Sequence, residues 1–308
     1  VGFRPTPGLV PDEDKKLGWS GLGVQGPMAR TVPDLALLLS VMAGDDAGDP
    51  MATTIHNRRV HAPEDFFPLH AIDLGGLRVA VTPDFGFAPT ETHIREVFLE
   101  KVALIRHLFR ATAEATPDCT GTDAAFEVLR STNFVAGHIE KWHTARDQLG
   151  PNIVANMEAA LKYTIADVSR ASAIQTQLYH RWQAFFRDFD IILSPAITIS
   201  PRPWTELFPK EIDGKPTRTY FHWLALAYAV TVVGHPALSL PVGRDRAGMP
   251  FGLQIVGPRG GDATVLRVAA ALEEALAGDP RTRRPVPDIA GLGSAPPISG
   301  MPHFMGFN

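Results

Sequence analysis

The chain has 308 residues, of which 45% are hydrophobic and 20% are charged, and its formal net charge at pH 7 is -4. These values are typical of a globular protein, and the small excess of negative charge argues against nucleic acid or an anionic membrane as a partner. The single cysteine, Cys119, excludes an internal disulfide and favours a reducing, cytoplasmic location.

The first third of the sequence predicts a capped helix, a strand and a long amphipathic helix. Thr31 is a good N-cap, with Asp34 three residues later, and an apolar helix follows over residues 35–43. Residues 77–82 are typical of a strand, and apolar residues at helical spacing occupy 94–109. This alternation of strand and helix indicates an α/β architecture.

The middle of the chain is mainly helical in its pattern. The elements predicted here are a helical region over 122–189 with its longest helix over 169–189, a buried strand over 190–195, a loop over 200–216 and a helix over 220–233. Residues 223–242 are apolar enough for a membrane span, but Gly234, His235 and Pro236 interrupt them. A buried helix followed by a strand is therefore favoured.

The strongest pattern lies in residues 235–276, HPALSLPVGRDRAGMPFGLQIVGPRGGDATVLRVAAALEEAL. Residues 237–242 and 251–256 predict two neighbouring strands joined by a turn in which Gly248 takes a positive φ. Asp262 is placed to cap the apolar helix that follows. The glycines of GPRGGD match neither the dinucleotide nor the P-loop spacing, which favours a tight turn over a phosphate site.

This block resembles the C-terminal signature of the amidase signature family, the serine amidohydrolases that cleave carboxamides. The shared pattern is G-x-P-A-x-S-x-P-x-G, then G-x-P-x-G-L-Q-x-x-G, then a Gly-Asp and an apolar helix. A second resemblance lies near the N-terminus, in VGFRPTPGLVP and GPMARTVPDLALLLSVMAGDDAGDP. The residues of interest in these motifs are Gly26, Pro27, Arg30, Thr31, Pro241, Gly243, Gly252, Gln254, Gly257 and Asp262. For Arg30, contacts to backbone carbonyls are favoured over an anion site.

The resemblance implies an α/β fold in which one mixed β-sheet is sandwiched between helices, here incomplete. Residues 1–277 would form the C-terminal part of an amidase domain, and the Pro- and Gly-rich residues 278–308 an extended tail. The family mechanism is similar to a Ser–Ser–Lys relay, whose members lie upstream of the segment that matches residues 1–11.

Those catalytic segments have no match in this sequence. It contains no Gly-Gly-Ser run and no Ser-x-x-Lys pair, and Lys101 and Lys162 lie in charged helical contexts that suit solvent. The Gly18-Trp19-Ser20-Gly21 stretch lacks the spacing of a nucleophile elbow. We therefore assign no catalytic residue and expect the chain alone to be inactive.

Aromatic residues are the candidates for a substrate pocket. They are Phe85, Phe134, Trp204, Phe221 and Trp223. His138 and His143 are five residues apart and so do not share a helix face with the spacing of a metal pair, and neither a metal nor a cofactor is expected.

The sequence leaves three functions open. The first is the C-terminal part of an amidase that hydrolyses a carboxamide to a carboxylate and ammonia or an amine. The second is a non-catalytic interaction protein that keeps a remnant of the fold, and the third is a part similar to the A-type subunit of a tRNA-dependent amidotransferase. The expected partners are a small-molecule amide and either the missing N-terminal half or a second copy, with neither nucleic acid nor membrane.

Overall fold

The computed structural model describes residues 1–52, 54–55, 58–59, 61–203, 206–297 and 300. The strands are β1 (Gly2–Arg4), β2 (Thr54–Ile55), β3 (Arg58–Arg59), β4 (Arg78–Val81), β5 (Ala111–Glu114), β6 (Ile191–Pro195), β7 (Glu211–Ile212), β8 (Lys215–Pro216), β9 (Ala237–Arg244) and β10 (Pro250–Val256). The α-helices are α1 (Val32–Met42), α2 (Thr92–Ile105), α3 (Thr122–Thr144), α4 (Pro151–Ala160), α5 (Ile165–Phe185), α6 (Ala225–Val233), α7 (Asp262–Ala277) and α8 (Ile289–Gly293).

Six strands of the described residues form one mixed sheet in the order β1-β9-β10-β6-β4-β5. The strands β1, β9, β10 and β6 pair antiparallel, whereas β6, β4 and β5 pair parallel. Two short hairpins, β2–β3 and β7–β8, lie outside this sheet. The mixed sheet confirms the predicted α/β class.

Helices cover both faces of the sheet. On one face α1, α2 and α7 contribute Leu35, Phe98 and Leu266 to a first apolar core. On the other face α3, α5 and α6 form a second core that includes Trp182. In β6, Ile192 belongs to the second core while the residues on either side of it belong to the first, as expected for a strand buried on both faces.

Several local predictions are confirmed. The Oγ1 of Thr31 accepts a hydrogen bond from the backbone N–H of Asp34 at 3.2 Å, so Thr31 caps α1. The strands β9 and β10 form the expected antiparallel pair, and Gly248 in their turn has a φ of 82°. Residues 223–242 form a short helix and a strand, with Gly234 ending α6 in the left-handed conformation.

The helix expected over 169–189 begins and ends four residues earlier, as α5. Its start is fixed by a capping box in which Thr164 and Asp167 bond reciprocally, so the helical phase is set upstream of the first predicted residue. The apolar pattern continues past its end because Phe186 and Phe189 pack against the second core from outside the helix. Among the residues that the structure describes, the longest helix is α3, with 23 residues, against 21 in α5.

The tail, residues 278–308, begins on the side of the sheet that carries α1, α2 and α7. Thr282 is buried, and its Oγ1 donates to the carbonyl of Leu276 at the end of α7 (3.0 Å). The guanidinium of Arg284 donates to the carbonyl of Arg30. Farther on, α8 interrupts the expected extended arm. Within the described residues, no helix is both long and apolar enough to cross a lipid bilayer.

Candidate active site

A row of small and polar residues crosses the sheet on the face that carries α3, α5 and α6. In the strand register, Gly2 lies opposite Ser239, and Ser239 opposite Gln254. Gln254 in turn lies opposite Ser194. Thr82, directly after β4, continues the row by donating its backbone N–H to β6 at 3.0 Å. The row ends at the carboxyl ends of the parallel strands β4 and β6, where α/β sheets form ligand sites.

Hydrogen bonds fix the inner end of this row. The Nε2 of Gln254 donates to the Oγ of Ser194 at 2.8 Å and to the carbonyl of Leu226 in α6 at 3.4 Å. The hydroxyl groups of Thr82 and Thr116 lie 2.8 Å apart and share a hydrogen bond. Ser194, Thr82 and Gln254 are buried. These partners satisfy the buried polar groups, and they tie the sheet to α6.

The outer end of the row is open. Ser239 is exposed although it lies within β9, between β1 and β10. A Cβ on Gly252 would lie 2.9 Å from the Cβ of Ala196 and 3.4 Å from the Oγ of Ser239. Glycine therefore leaves this surface free of a projecting side chain. We call this surface, formed by Gly2, Ser239 and Gly252, the open floor.

An apolar cleft of about 410 Å³ starts at the Gly252 end of the open floor. Its walls come from α2, from the segment that follows β6, from the residues preceding α6 and from the start of β10. The side chains that define it are Ile94, Ile197, Ile199, Phe208, Trp223 and Phe251. A cleft of this size with apolar walls suits a small organic ligand.

The charged side chains at the apolar cleft are paired with one another. Arg202 lies 3.0 Å from Glu206 and 3.7 Å from Glu91. Asp245 accepts from the backbone N–H groups of its own turn and lies 3.2 Å from His93, and these contacts hold the pKa of its carboxyl below the ordinary value against the effect of burial. The cleft therefore offers an apolar surface whose charged groups already have partners within the protein.

Comparison with known proteins identifies the family. Residues 1–266 match the family model described as Amidase. The chain belongs to the amidase family. It is 30% identical over 279 residues to an acylamidase of Rhodococcus erythropolis, covering 89% of this chain and 56% of the relative. It is also 32% identical over 296 residues to the A-type subunit of the glutamyl-tRNA(Gln) amidotransferase of Thermus thermophilus, covering 90% of this chain and 60% of the relative.

Solved structures share the fold of this amidase-family chain. A bacterial aryl acylamidase of the amidase signature enzymes superposes with a TM-score of 0.76 at 22% identity, over 89% of this chain and 58% of that one. The 6-aminohexanoate cyclic dimer hydrolase gives a TM-score of 0.71 at 23% identity, over 89% of this chain and 60% of that one. The chain thus spans a little more than half the length of the curated relatives that it matches.

The structure separates the aromatic residues that the sequence suggested for a pocket. Trp223 lines the apolar cleft. Phe221 lies in the second core and Phe134 lies on α3. The guanidinium of Arg130 contacts both rings, at 4.8 Å from the centroid of Phe221 and 5.4 Å from that of Phe134. Phe85 is buried against Trp182, with ring centroids 5.4 Å apart. Trp204 lies outside the described residues.

The glycines of the family signature allow close backbone approaches. A Cβ on Gly26 would lie 1.9 Å from the carbonyl oxygen of Phe3, and one on Gly257 would lie 2.5 Å from a methyl group of Val265. The neighbouring Pro27 accepts a hydrogen bond at its carbonyl from the N–H of Phe3 at 3.1 Å. These residues therefore shape the amidase sheet around β1 and α7.

Asp262 does not cap α7 as predicted. The N-cap is Gly261, and Asp262 is the first helical residue, fully buried. Its carboxylate instead accepts hydrogen bonds from the backbone N–H of Thr6 at 2.8 Å and from the Oγ1 of Thr6 at 2.6 Å. Burial raises the pKa of this carboxyl, and the two bonds from Thr6 oppose that shift. Asp262 therefore joins the segment after β1 to α7.

The expected roles of two basic residues also change. Lys101 is buried, not solvated, and its Nζ donates to the carbonyl of Arg281 at 2.6 Å. Burial lowers the pKa of its ammonium group. Arg30 is exposed, and its guanidinium makes no hydrogen bond within the part of the chain that the structure describes, where contacts to carbonyls were expected.

A polar network that the sequence did not reveal joins α3 to α6. The hydroxyl of Tyr228 donates to Asp123 at 2.5 Å, and Asp123 also lies 3.1 Å from Arg218 and 3.8 Å from His222. Burial and the Asp123 carboxylate raise the pKa of Tyr228, and burial lowers the pKa of His222. The network therefore links α3 to α6.

Two further observations concern the thiol and the groups that can ligate a metal. Burial raises the pKa of the Cys119 thiol to about 12, so this thiol is protonated at neutral pH and a poor nucleophile. Among the residues that the structure describes, no three His, Cys, Asp or Glu side chains are grouped so that they could hold a metal ion.

Proposed function

We propose that this chain forms the substrate-binding part of an amidase, which hydrolyses a carboxamide to a carboxylate and ammonia or an amine. The observation that carries this proposal is the junction of the open floor with the apolar cleft at Gly252. A reacting amide lying over the floor would extend its apolar substituent into the cleft. Membership of the amidase family and the similarity to an acylamidase support this assignment.

We also propose that the nucleophilic Ser, the bridging Ser and the Lys base come from polypeptide outside these 308 residues. The family resemblance places both Ser residues just upstream of the segment that matches residues 1–11. Gly2 forms one side of the open floor and Val1 precedes it, so a segment leading into Val1 would enter beside the floor. Such a segment would supply the attacking hydroxyl and the backbone N–H groups that stabilise an oxyanion.

The apolar cleft favours an amide whose substituent is neutral and apolar. Arg202 and Asp245 are already paired with side chains of the protein, so a charged substituent would find no free partner among them. Trp223 offers a flat apolar surface to such a substituent. We therefore expect an aryl or alkyl amide as the substrate class.

A second candidate is amide transfer, as in the amidotransferase relatives. The identity of 32% to the Thermus thermophilus protein supports it. The apolar walls of the cleft favour the first candidate. A glutamine molecule bound through its side-chain amide would also bring its charged α-ammonium and α-carboxylate to a site whose charges are already paired.

Replacement of Trp223 by Ala tests the substrate assignment in the natural gene product. We expect the KM for 4-nitroacetanilide to rise about tenfold with kcat nearly unchanged, because the lost contact is made to the substituent and not to the reacting atoms. Steady-state release of 4-nitroaniline measures both constants. Trp142→Ala is the control, since Trp142 lies on α3 under Arg146 and does not line the cleft. An equal effect of both variants would contradict the role of the cleft, and faster turnover of glutamine than of the anilide would favour the second candidate.

A further inference from the structure

A second cavity, of about 260 Å³, lies between the segment after β1, α5 and the end of α6. Its lining includes Pro7, Trp19, Gln175, Tyr179, Thr231 and Arg259. The described residues that line it include no Asp or Glu. Its volume is just below the range of about 300–1,000 Å³ that is typical of sites for drug-sized ligands, so it suits a small molecule.

Arg4 places a partly buried positive charge behind one wall of this cavity. Its guanidinium donates to the carbonyls of Gly21 at 3.0 Å, Leu22 at 3.2 Å and Thr231 at 3.5 Å, and the first and last of these residues line the cavity. Burial lowers its pKa to about 10, which leaves it charged at neutral pH. No carboxylate of the described residues pairs with it, and its Nε has no hydrogen-bond partner there. Buried charges in proteins are normally paired.

The end of α6 would ordinarily repel an anion, because the carboxyl end of a helix carries partial negative charge. Here the carbonyls of Thr231 and Val232 already have donors. Arg4 and the backbone N–H of Gly234 both donate to the carbonyl of Thr231, and the Nε2 of Gln175 donates to the carbonyl of Val232 at 2.9 Å. Two of the carbonyls at this end of the helix are thus already hydrogen-bonded where it meets the cavity.

Arg259 supplies a second guanidinium, at the exposed rim. It lies 5.9 Å from the ring centroid of Tyr179, and it has no ion pair or hydrogen bond with any residue that the structure describes. Tyr179, Trp19 and Pro7 give the cavity flat walls beside this charge. We infer that the cavity is a binding site for a small carboxylate with a flat apolar group, with Arg259 pairing the carboxylate and Tyr179 and Trp19 contacting the apolar group. A planar guanidinium matches both oxygens of a carboxylate.

Binding of benzoate to the purified chain tests this inference. Trp19 is 82% exposed and lines the cavity, so benzoate should change the tryptophan fluorescence, and calorimetry gives the affinity. We expect benzamide, the neutral molecule of the same shape, to bind at least tenfold more weakly. Arg259→Gln should weaken benzoate at least tenfold, whereas Arg283→Gln, which removes one charge from an exposed site outside the cavity, should leave the affinity unchanged.

Three results would overturn the inference. The first is no saturable benzoate binding at millimolar concentration, and the second is equal affinity for benzoate in both variants. The third is inorganic phosphate that binds as tightly as benzoate with the same dependence on Arg259, because it would show an anion site without preference for a carboxylate. Circular dichroism of Arg259→Gln checks that the exposed substitution leaves the fold intact.

Discussion

His235 is the buried residue whose protonation the fold opposes most clearly. It is fully buried, its Nδ1 lies 2.9 Å from the carbonyl oxygen of Gly257, and its ring stacks on Phe186 with centroids 5.1 Å apart. Burial lowers its pKa from 6.5 to about 4. The unfolded chain therefore binds a proton between these pH values that the folded chain does not bind, and stability falls as the pH drops through this window.

Replacement of His235 by Phe should remove that pH dependence. The shift of the pKa corresponds to about 3 kcal/mol of unfolding free energy, present above pH 6.5 and lost by about pH 4. Urea unfolding of wild type at pH 7 and pH 4.5 should show this loss in addition to that of other groups, and His235→Phe should show correspondingly less. His107→Phe, at an exposed histidine, should behave like wild type. Identical pH dependence in all three proteins would contradict the assignment.

At the residue scale, the sequence identified motif residues but did not reveal their hydrogen-bond partners. The motif containing Asp262 was recognised, but its true partner, Thr6, lies 256 positions away and no local spacing reveals it. Gln254 was recognised as a motif residue, whereas its bond to Ser194 depends on the pairing of β10 with β6. Ser239 could not be recognised as a site residue from the sequence, because only the fold shows that it is exposed within a strand.

At the scale of elements, strong local signals gave correct predictions. The β9–β10 pair was predicted from two apolar runs around a Gly turn, and α1 from its Thr31 cap. The strand β1 was missed because it has only three residues and is formed by pairing with β9. The strand β5 was missed because it is mostly exposed at the edge of the sheet and shows no apolar alternation.

Gly243, in β9, allows the residues after α7 to approach the strand closely. Its φ is 73°, and an added Cβ would lie 2.2 Å from the carbonyl oxygen of Arg281. Gly248 is a matched control, since its φ is 82° and nothing lies within 4 Å of an added Cβ.

We expect Gly248→Ala to cost about 1 kcal/mol, from backbone strain alone. Gly243→Ala should cost about 2 kcal/mol more, because the tail after α7 must move. Denaturant melts measure both values. Equal costs would show that the contact with Arg281 does not constrain β9.

At the scale of the molecule, the sheet is better covered than the sequence suggested. Both faces of the central strands are packed under helices, and the outer edge of β1 is met by residues 27–29, with Met28 bridging to Gly2. The open floor around Ser239 remains uncovered, and so does most of the edge strand β5. Beside the open floor, Met28 is 80% exposed.

We expect this surface to cause self-association of the chain at micromolar concentration, because exposed apolar surface beside an open sheet face promotes association. Met28→Ser should shift analytical ultracentrifugation profiles toward monomer. Val41→Ser should not, although Val41 is 77% exposed, because it lies on α1 against the other face. A monodisperse wild-type monomer with a cooperative melt would contradict this expectation.

We propose that these 308 residues hold the substrate-binding part of an amidase and that the catalytic residues come from polypeptide outside them. The rate of 4-nitroacetanilide hydrolysis by the purified 308-residue chain tests it most directly. We predict release of 4-nitroaniline no faster than in buffer. Turnover that survives repurification and disappears in Ser239→Ala would contradict the claim, because it would place a nucleophile on the open floor itself.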